Sequence, residues 1–106
     1  RRLGHFHFND NYRGWDDDMV VGAVHFMPFL EAIYWLKRIA YSGWMSLDIF
    51  PYREDPDMAV TESIAYLKRL DEIVNEIGLD TISELLRQND GAHSLRVINR
   101  HVLGTK

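Results

Sequence analysis

The chain has 106 residues, of which 46% are hydrophobic and 26% charged, and its formal net charge is −4. This composition is typical of a folded segment with one modest core and disfavours a disordered chain. The acidic balance disfavours nucleic-acid binding, the lack of cysteine excludes disulfides and thiolate zinc sites, and no apolar run is long enough for a membrane span. We therefore expect a cytoplasmic protein that binds neither nucleic acid nor membrane.

The first predicted element is a strand over residues 3–8. Side chains alternate along a strand, so His5 and His7 share one face while Phe6 and Phe8 share the other. The strand begins almost at the first residue, and that residue is not Met. The simplest expectation is a fragment or processed piece of a larger protein.

A loop and a helix are predicted next. Residues 9–18 are polar and indicate a loop, whereas apolar side chains at helical spacing predict a helix over residues 28–42 that stops at Gly43. The predicted buried stripe of this helix is Phe26, Phe29, Leu30, Ile33, Leu36 and Ala40.

The second half of the chain repeats the pattern and then becomes helical. A strand is predicted over residues 44–50, a loop over 51–56, and helices over 57–77, 80–88 and 93–103. Gly78 is expected to end the longest helix, and Asp80 to cap the next one. The expected buried side chains of the three helices are Val60, Ile64, Leu67, Leu70, Val74 and Ile77, then Ile82, Leu85 and Leu86, then Leu95, Ile98 and Val102.

The order of strand, helix and strand predicts a parallel pair with a right-handed crossover. Parallel sheets are normally covered on both faces and contain more than two strands. We therefore expect this chain to be part of a larger α/β sheet or barrel, or to gain strands from other copies of itself.

Acidic and imidazole side chains gather near the predicted strand ends. His7 ends the first strand, an aspartate triplet at residues 16–18 follows it, and Asp48 lies near the end of the second strand. Such donors suit Mn²⁺, Mg²⁺ or Co²⁺. Without a metal, the triplet would be solvated surface and His7 a hydrogen-bonded core residue. Asp48, between two aliphatic residues, is expected to be buried and to need a partner charge or a metal. His25 fits either a helix start or a hydrogen-bond donor behind the ligands.

Three segments together resemble the end of the xylose isomerase-like barrel superfamily, and also L-rhamnose isomerase. They are the sequences HFND at residues 7–10, WDDDMVVG at 15–22 and LDIFPYRED at 47–55, and the similarity covers about residues 5–75. The resemblance implies an α/β fold that is the C-terminal part of a (β/α)8 TIM barrel. Residues 1–78 would be its last two βα units, and residues 79–106 a C-terminal helical extension.

The same resemblance assigns metal ligands. His7 matches the ligand at the end of the seventh strand, which is Asp in xylose isomerases proper and His in rhamnose isomerases. Asp16 and Asp18 match the Asp-x-Asp pair that holds the catalytic metal, with Asp17 as a spacer outside the coordination sphere. Asp48 matches the ligand of the structural metal at the end of the eighth strand.

The implied function is aldose–ketose isomerisation of a monosaccharide by a metal-assisted hydride shift, with two divalent ions such as Mn²⁺ or Mg²⁺ and with Co²⁺ as a further option. The remaining ligands of the family and its ring-opening His have no counterpart here, so we expect weak or no metal binding, no catalytic residue and no turnover by this chain alone. The alternatives are a sugar epimerase, another metalloenzyme of the same barrel type, or a non-catalytic piece that self-associates into a homo-oligomer.

Overall fold

The computed structural model describes residues 2–105, and in this range it contains two strands and four α-helices. Arg1 and Lys106, the outermost residues of the two predicted units, lie outside the described residues. The fold is mixed α/β and mostly helical. In chain order its elements are β1 (His5–Phe8), α1 (Met27–Arg38), β2 (Trp44–Leu47), α2 (Pro56–Ile77), α3 (Leu79–Gln88) and α4 (Gly91–Val102).

The two strands form a parallel sheet, as predicted, with His7 opposite Ser46 and Phe8 opposite Leu47. The two faces of this sheet differ. Phe8 is buried under the helices, whereas His5 and His7 on the other face are exposed. Neither strand has a second partner within residues 2–105, so both edges of the sheet are open.

The core lies between the helix-facing side of the sheet and the helices. α1 packs against α2, and both contact α3. Burial of the apolar stripes is the main force that holds these elements together. The buried cluster is Phe8, Val21, Leu30, Ile33, Tyr34, Leu36, Leu70, Ile73, Val74 and Ile98.

The predicted end of α1 at Gly43 is wrong, because the helix ends at Arg38. Ala40 adopts a left-handed conformation with φ of 53°, its N–H donates to the Lys37 carbonyl, and the Tyr41 N–H donates to the Leu36 carbonyl. These are the bonds of a Schellman motif, which satisfies the last carbonyls of a helix. Ala40 therefore terminates the helix and is exposed rather than part of the buried stripe.

Part of the expected buried face of α2 is exposed. Leu70 and Val74 are buried, but Val60 and Ile64 remain 40% and 42% exposed. Ile64 is exposed because it lines an open apolar groove of about 590 Å³ beside β2, over which no other element of residues 2–105 packs. Its lining residues include Met45, Leu47, Ile64 and Leu67.

The short helices bury less than predicted. Leu85 and Ile98 are buried, but the outer apolar side chains Leu86, Leu95 and Val102 are 43%, 48% and 41% exposed. The rest of the chain contacts each of these helices along a narrow strip only, so the neighbouring apolar positions face water.

Two of the helices begin at an aspartate whose side chain caps the first turn. The carboxylates of Asp55 and Asp90 accept the N–H of Met58 and His93, at 3.0 and 3.1 Å, and so begin α2 and α4. Gly78 ends α2, as predicted, but it also begins α3. The predicted cap Asp80 instead lies in the first turn of α3. No helix in the described part of the chain is both long and apolar enough to cross a membrane.

Candidate metal centre

The carboxyl ends of β1 and β2 lie side by side and carry two of the predicted ligands. His7 is in β1, and Asp48 directly follows the last residue of β2. The Asp48 N–H donates to the Phe8 carbonyl over 2.9 Å, which continues the parallel pairing past the end of the strand. Both side chains therefore reach the same edge of the sheet.

The side chains of His7 and Asp48 approach each other without forming a hydrogen bond. Nδ1 of His7 is 3.8 Å from Oδ2 of Asp48, and the two side chains are 57% and 62% exposed. Such a pair contributes little to stability. Both groups keep lone pairs that are available to another partner.

The expected burial of Asp48 is wrong. Its side chain projects from the sheet face that no element covers within residues 2–105, so water solvates the carboxylate. A solvated carboxylate needs neither a partner charge nor a metal to be stable.

The loop after β1 returns to the strand ends. Asp10 and Met19 form an antiparallel bridge with backbone bonds of 3.0 and 2.9 Å, which closes the base of the loop. The Phe50 N–H donates to the Asp18 carbonyl over 2.7 Å and joins the loop to the segment after β2. Asp18 itself has a positive φ of 47°, a conformation that Asp adopts more readily than most residues.

Asp16, Asp18 and Asp48 interact electrostatically at this position. Partial burial, the neighbouring Asp16 carboxyl and the negative charge of Asp48 raise the pKa of Asp18 above its usual value, while a hydrogen bond from Asn9 opposes this rise. The structure thus brings the predicted loop ligands into range of the predicted ligand after β2. Neighbouring carboxylates repel one another unless a cation or a proton separates them.

Asp17, the predicted spacer, faces elsewhere. Its Oδ2 accepts the backbone N–H of Tyr12 at 3.1 Å, so its carboxylate helps to shape the loop. The three consecutive aspartates therefore differ in their contacts, although the sequence alone makes them look alike.

The four candidate ligands His7, Asp16, Asp18 and Asp48 fit a divalent ion in chemistry and in location, but they do not enclose one. Oxygen donors with one imidazole are suitable for a hard or borderline cation. In the described part of the chain, however, no three His, Asp or Glu side chains stand in an arrangement that could hold a metal ion. Any complete centre would need additional ligands or a rearrangement of these four.

Asp10 is a residue of this region that the sequence analysis missed. Its side chain is only 1% exposed, and it accepts the backbone N–H groups of Asn11, Val24 and His25 at 2.8–2.9 Å. In addition, Nδ1 of the His25 ring lies 2.6 Å from Oδ1 of Asp10. His25, for which the sequence left two roles open, is thus bound to Asp10 two residues before α1 begins.

The hydrogen bonds of Asp10 determine its charge. Burial by itself would raise the pKa of Asp10, but the bonds from the His25 backbone and ring, the Val24 amide and the Asn11 amide together lower it. Asp10 is therefore ionised at neutral pH. No sequence pattern signals this role, because the partners are backbone amides up to 15 residues away.

Comparison with known proteins gives no assignment, since neither a protein-family model nor a curated protein matches this chain.

Proposed function

We propose that this chain is the C-terminal part of a (β/α)8 barrel of the xylose isomerase-like type, and that the parent protein is a cytoplasmic, divalent-metal-dependent sugar isomerase. The observation that carries the proposal is the position of His7, Asp16, Asp18 and Asp48. All four belong to the carboxyl ends of two parallel strands or to the loop that follows the first one. That end of the strands is where barrel enzymes place their active sites.

The two faces of the sheet support the barrel. Helices cover the side of Phe8, whereas within residues 2–105 no element covers the side of His5 and His7 and no further strand pairs with either edge. A βα unit of a barrel has this asymmetry, with helices on one strand face and the other strand face towards the barrel interior. Parallel strands are seldom stable as an isolated pair, which favours additional strands on both edges.

The chemistry of the four side chains supports a metal of the Mn²⁺ or Mg²⁺ type, with Co²⁺ as a further option. When bound, such ions polarise a carbonyl and its neighbouring hydroxyl, which aldose–ketose isomerisation of a monosaccharide requires. The residues of this chain would supply part of the coordination, and acidic and imidazole ligands from earlier strands would complete it.

The decisive experiment compares three neighbouring aspartates in the parent protein. Asp16→Asn and Asp18→Asn should each reduce Mn²⁺-dependent isomerisation of an aldose panel by more than about 100-fold, because a lost ligand costs more than a lost outer partner. Asp17→Asn is the matched control and should retain activity, since its carboxylate bonds only the loop backbone in this structure. Equal losses in all three variants, or no sugar turned over, would reject the proposal. Product analysis separates an isomerase from an epimerase.

The chain by itself provides a second test. With only part of the ligand set, it should show no isomerase turnover and should bind Mn²⁺ weakly at His7, Asp18 and Asp48. Paramagnetic broadening of amide NMR signals detects such weak binding. Full turnover by the 106-residue chain would show that the site is already complete and would contradict this division of ligands.

A second candidate is a non-catalytic piece that associates with itself. It is favoured by the two open sheet edges and by the apolar groove beside β2, in which Met45 is 54% exposed. Light scattering should then show a mass that rises with concentration. Met45→Lys should lower that mass, whereas Met58→Lys, at a position 63% exposed and outside the groove lining, should not. A monomer at all concentrations would exclude this candidate.

A further inference from the structure

The side chain of Asn9 connects the two strand ends. Asn9 directly follows β1, and its Nδ2 donates to Oδ1 of Asp18 over 2.9 Å and to the backbone carbonyl of Asp48 over 3.1 Å. One amide group thus contacts Asp18, in the loop after β1, and Asp48, which follows β2 and lies 39 positions after Asn9.

The Asp18 carboxylate occupies a position that its neighbours oppose. The carboxylates of Asp16 and Asp48 lie near that of Asp18, and the Asn9 amide donates to Oδ1 of Asp18 over 2.9 Å. An amide N–H carries partial positive charge, so it can stabilise an anion that lies close to other anions.

The backbone cannot replace this contact. The Phe50 N–H donates to the main-chain carbonyl of Asp18, so this bond contacts the loop backbone and not the carboxylate. The bond from the Asn9 amide, in contrast, holds Oδ1 of the Asp18 carboxylate itself.

We propose that Asn9 is a positioning residue, which holds the carboxylate of Asp18 beside Asp48. A role of Asn9 in metal binding rests on the proposed function. The geometric role itself can be tested without any metal.

The test measures amide hydrogen exchange by NMR at neutral pH in the wild type and three variants. Asn9→Ala removes the amide, and Asn9→Asp keeps the shape but replaces the N–H donor by an oxygen. Asn11→Ala is the matched control, because Asn11 Oδ1 accepts the Arg13 N–H within the same loop at 2.8 Å. Exchange at Phe50 reports whether the Asp18 segment opens, and exchange at Val74, which is fully buried, reports global unfolding.

The expected result is that both Asn9 variants speed exchange at Phe50 by about tenfold, the effect of losing a hydrogen bond to a charged group. Val74 should remain protected, and Asn11→Ala should stay close to the wild type. If the Phe50 exchange rate in Asn9→Asp equals that of the wild type, only packing matters and the proposal is overturned. An increase in Asn11→Ala as large as that in the Asn9 variants would also overturn it. If the exchange rate at Val74 rises in Asn9→Ala, that variant is unfolding globally, and the result for Asn9→Asp alone then tests the proposal.

A second measurement titrates Mn²⁺ and follows paramagnetic broadening at Asp18 and Asp48. Asn9→Ala should need several-fold more Mn²⁺ than the wild type for the same broadening, a change that a purely structural role would not produce in a variant that stays folded. Asn9→Asp is left out of this comparison, because its new carboxylate adds a ligand for the ion. Equal Mn²⁺ requirements in the wild type and Asn9→Ala would overturn the positioning role. Broadening spread over all surface carboxylates of the wild type would instead count against the proposed metal site, and the exchange data would still decide the role of Asn9.

Discussion

Oδ1 of Asp10 lies 2.6 Å from Nδ1 of His25, and this pair fastens the loop after β1 to the start of α1. The same carboxylate accepts three backbone N–H groups. A buried carboxylate with this many donors is stable only as a complete network, because each donor left without a partner costs free energy. The position of the candidate ligands in the loop therefore depends on a residue that is not itself a candidate ligand.

Substitution of Asp10 should destabilise the whole fold. We expect Asp10→Ala to lower the free energy of unfolding by about 3 kcal/mol, since the backbone donors and the His25 ring lose their acceptor. Urea unfolding followed by far-UV circular dichroism measures this change. Asp17→Asn serves as the control and should stay within about 0.5 kcal/mol of the wild type, because its bond to Tyr12 is exposed. A neutral Asp10→Ala would contradict the network.

The contribution of Asp10 should depend on pH in one direction. The pKa of Asp10 is lower in the folded chain than the reference value of 3.8, because its hydrogen bonds outweigh the effect of burial. A lowered carboxyl pKa stabilises the fold above the unfolded pKa, and this stabilisation is lost as the pH falls through the folded pKa. The stability difference between the wild type and Asp10→Ala should thus be constant near neutrality and shrink below pH 3.8. A difference that grows on acidification would show the opposite shift.

Gly22 is expected to tolerate no side chain. It has a φ of +91°, and a Cβ at this position would lie 2.8 Å from three ring atoms of Tyr66. Gly22→Ala should therefore combine backbone strain of about 1–2 kcal/mol with an overlap that costs about 1–3 kcal/mol more. Urea unfolding measures the sum.

Gly78 provides the matched control for this substitution. Its φ of +93° is almost the same, but nothing lies within 4 Å of a Cβ placed there. Gly78→Ala should cost only the backbone strain, about 1–3 kcal/mol, because φ of 93° with ψ of 142° is a conformation that alanine rarely adopts. Equal losses in the two variants would mean that the Tyr66 ring moves aside freely.

Glu76 should hold the end of α4 against α2. Its carboxylate binds Nη1 of Arg69 at 2.9 Å and Nδ1 of His101 at 2.8 Å, while Arg69 also donates to the His101 carbonyl. We expect Glu76→Gln to speed hydrogen exchange in the last turn of α4 by a few-fold and to leave the sheet unchanged. Added salt should weaken the contact in the wild type, since the groups are exposed.

The control for Glu76 is Glu84→Gln. Glu84 pairs with Arg87 inside the single helix α3, so its loss should not change exchange in α4. The hydrogen bonds from Arg69 and His101 lower the pKa of Glu76, so its contribution is present above the unfolded pKa and lost as the pH falls through the folded value. If amide protection in the last turn of α4 changes neither with Glu76→Gln nor on acidification, this role of Glu76 is contradicted.

The order and type of the elements could be predicted because each long helix carries its own apolar stripe. The stripe shows which side of a helix is apolar, but it does not show what covers that side. Ile64 therefore fits the pattern of α2 and still faces an open groove. The end of α1 was missed for a local reason, since Ala40 adopts the left-handed conformation usually taken by glycine.

The location of the candidate site could also be predicted from the sequence, but its detailed contacts could not. Parallel strands bring their carboxyl ends to one edge, so the proximity of His7 and Asp48 followed from topology. The contacts of Asn9 and Asp10 did not follow, because they join backbone or side-chain atoms across a loop whose path leaves no periodic signal. The prediction that Asp48 is buried was wrong, because Leu47 and Ile49 pack against the core while the Asp48 side chain points to the opposite face.

All three tryptophans of the chain are solvated in the folded state. Trp15 and Trp44 are 80% and 78% exposed, and Trp35 is 49% exposed. Indole emission shifts to longer wavelength in water, so the native protein should already fluoresce much as the unfolded chain does. Fluorescence will consequently be a poor reporter of unfolding for this molecule, but Trp15, one residue before Asp16, makes it a label-free reporter of events in the loop.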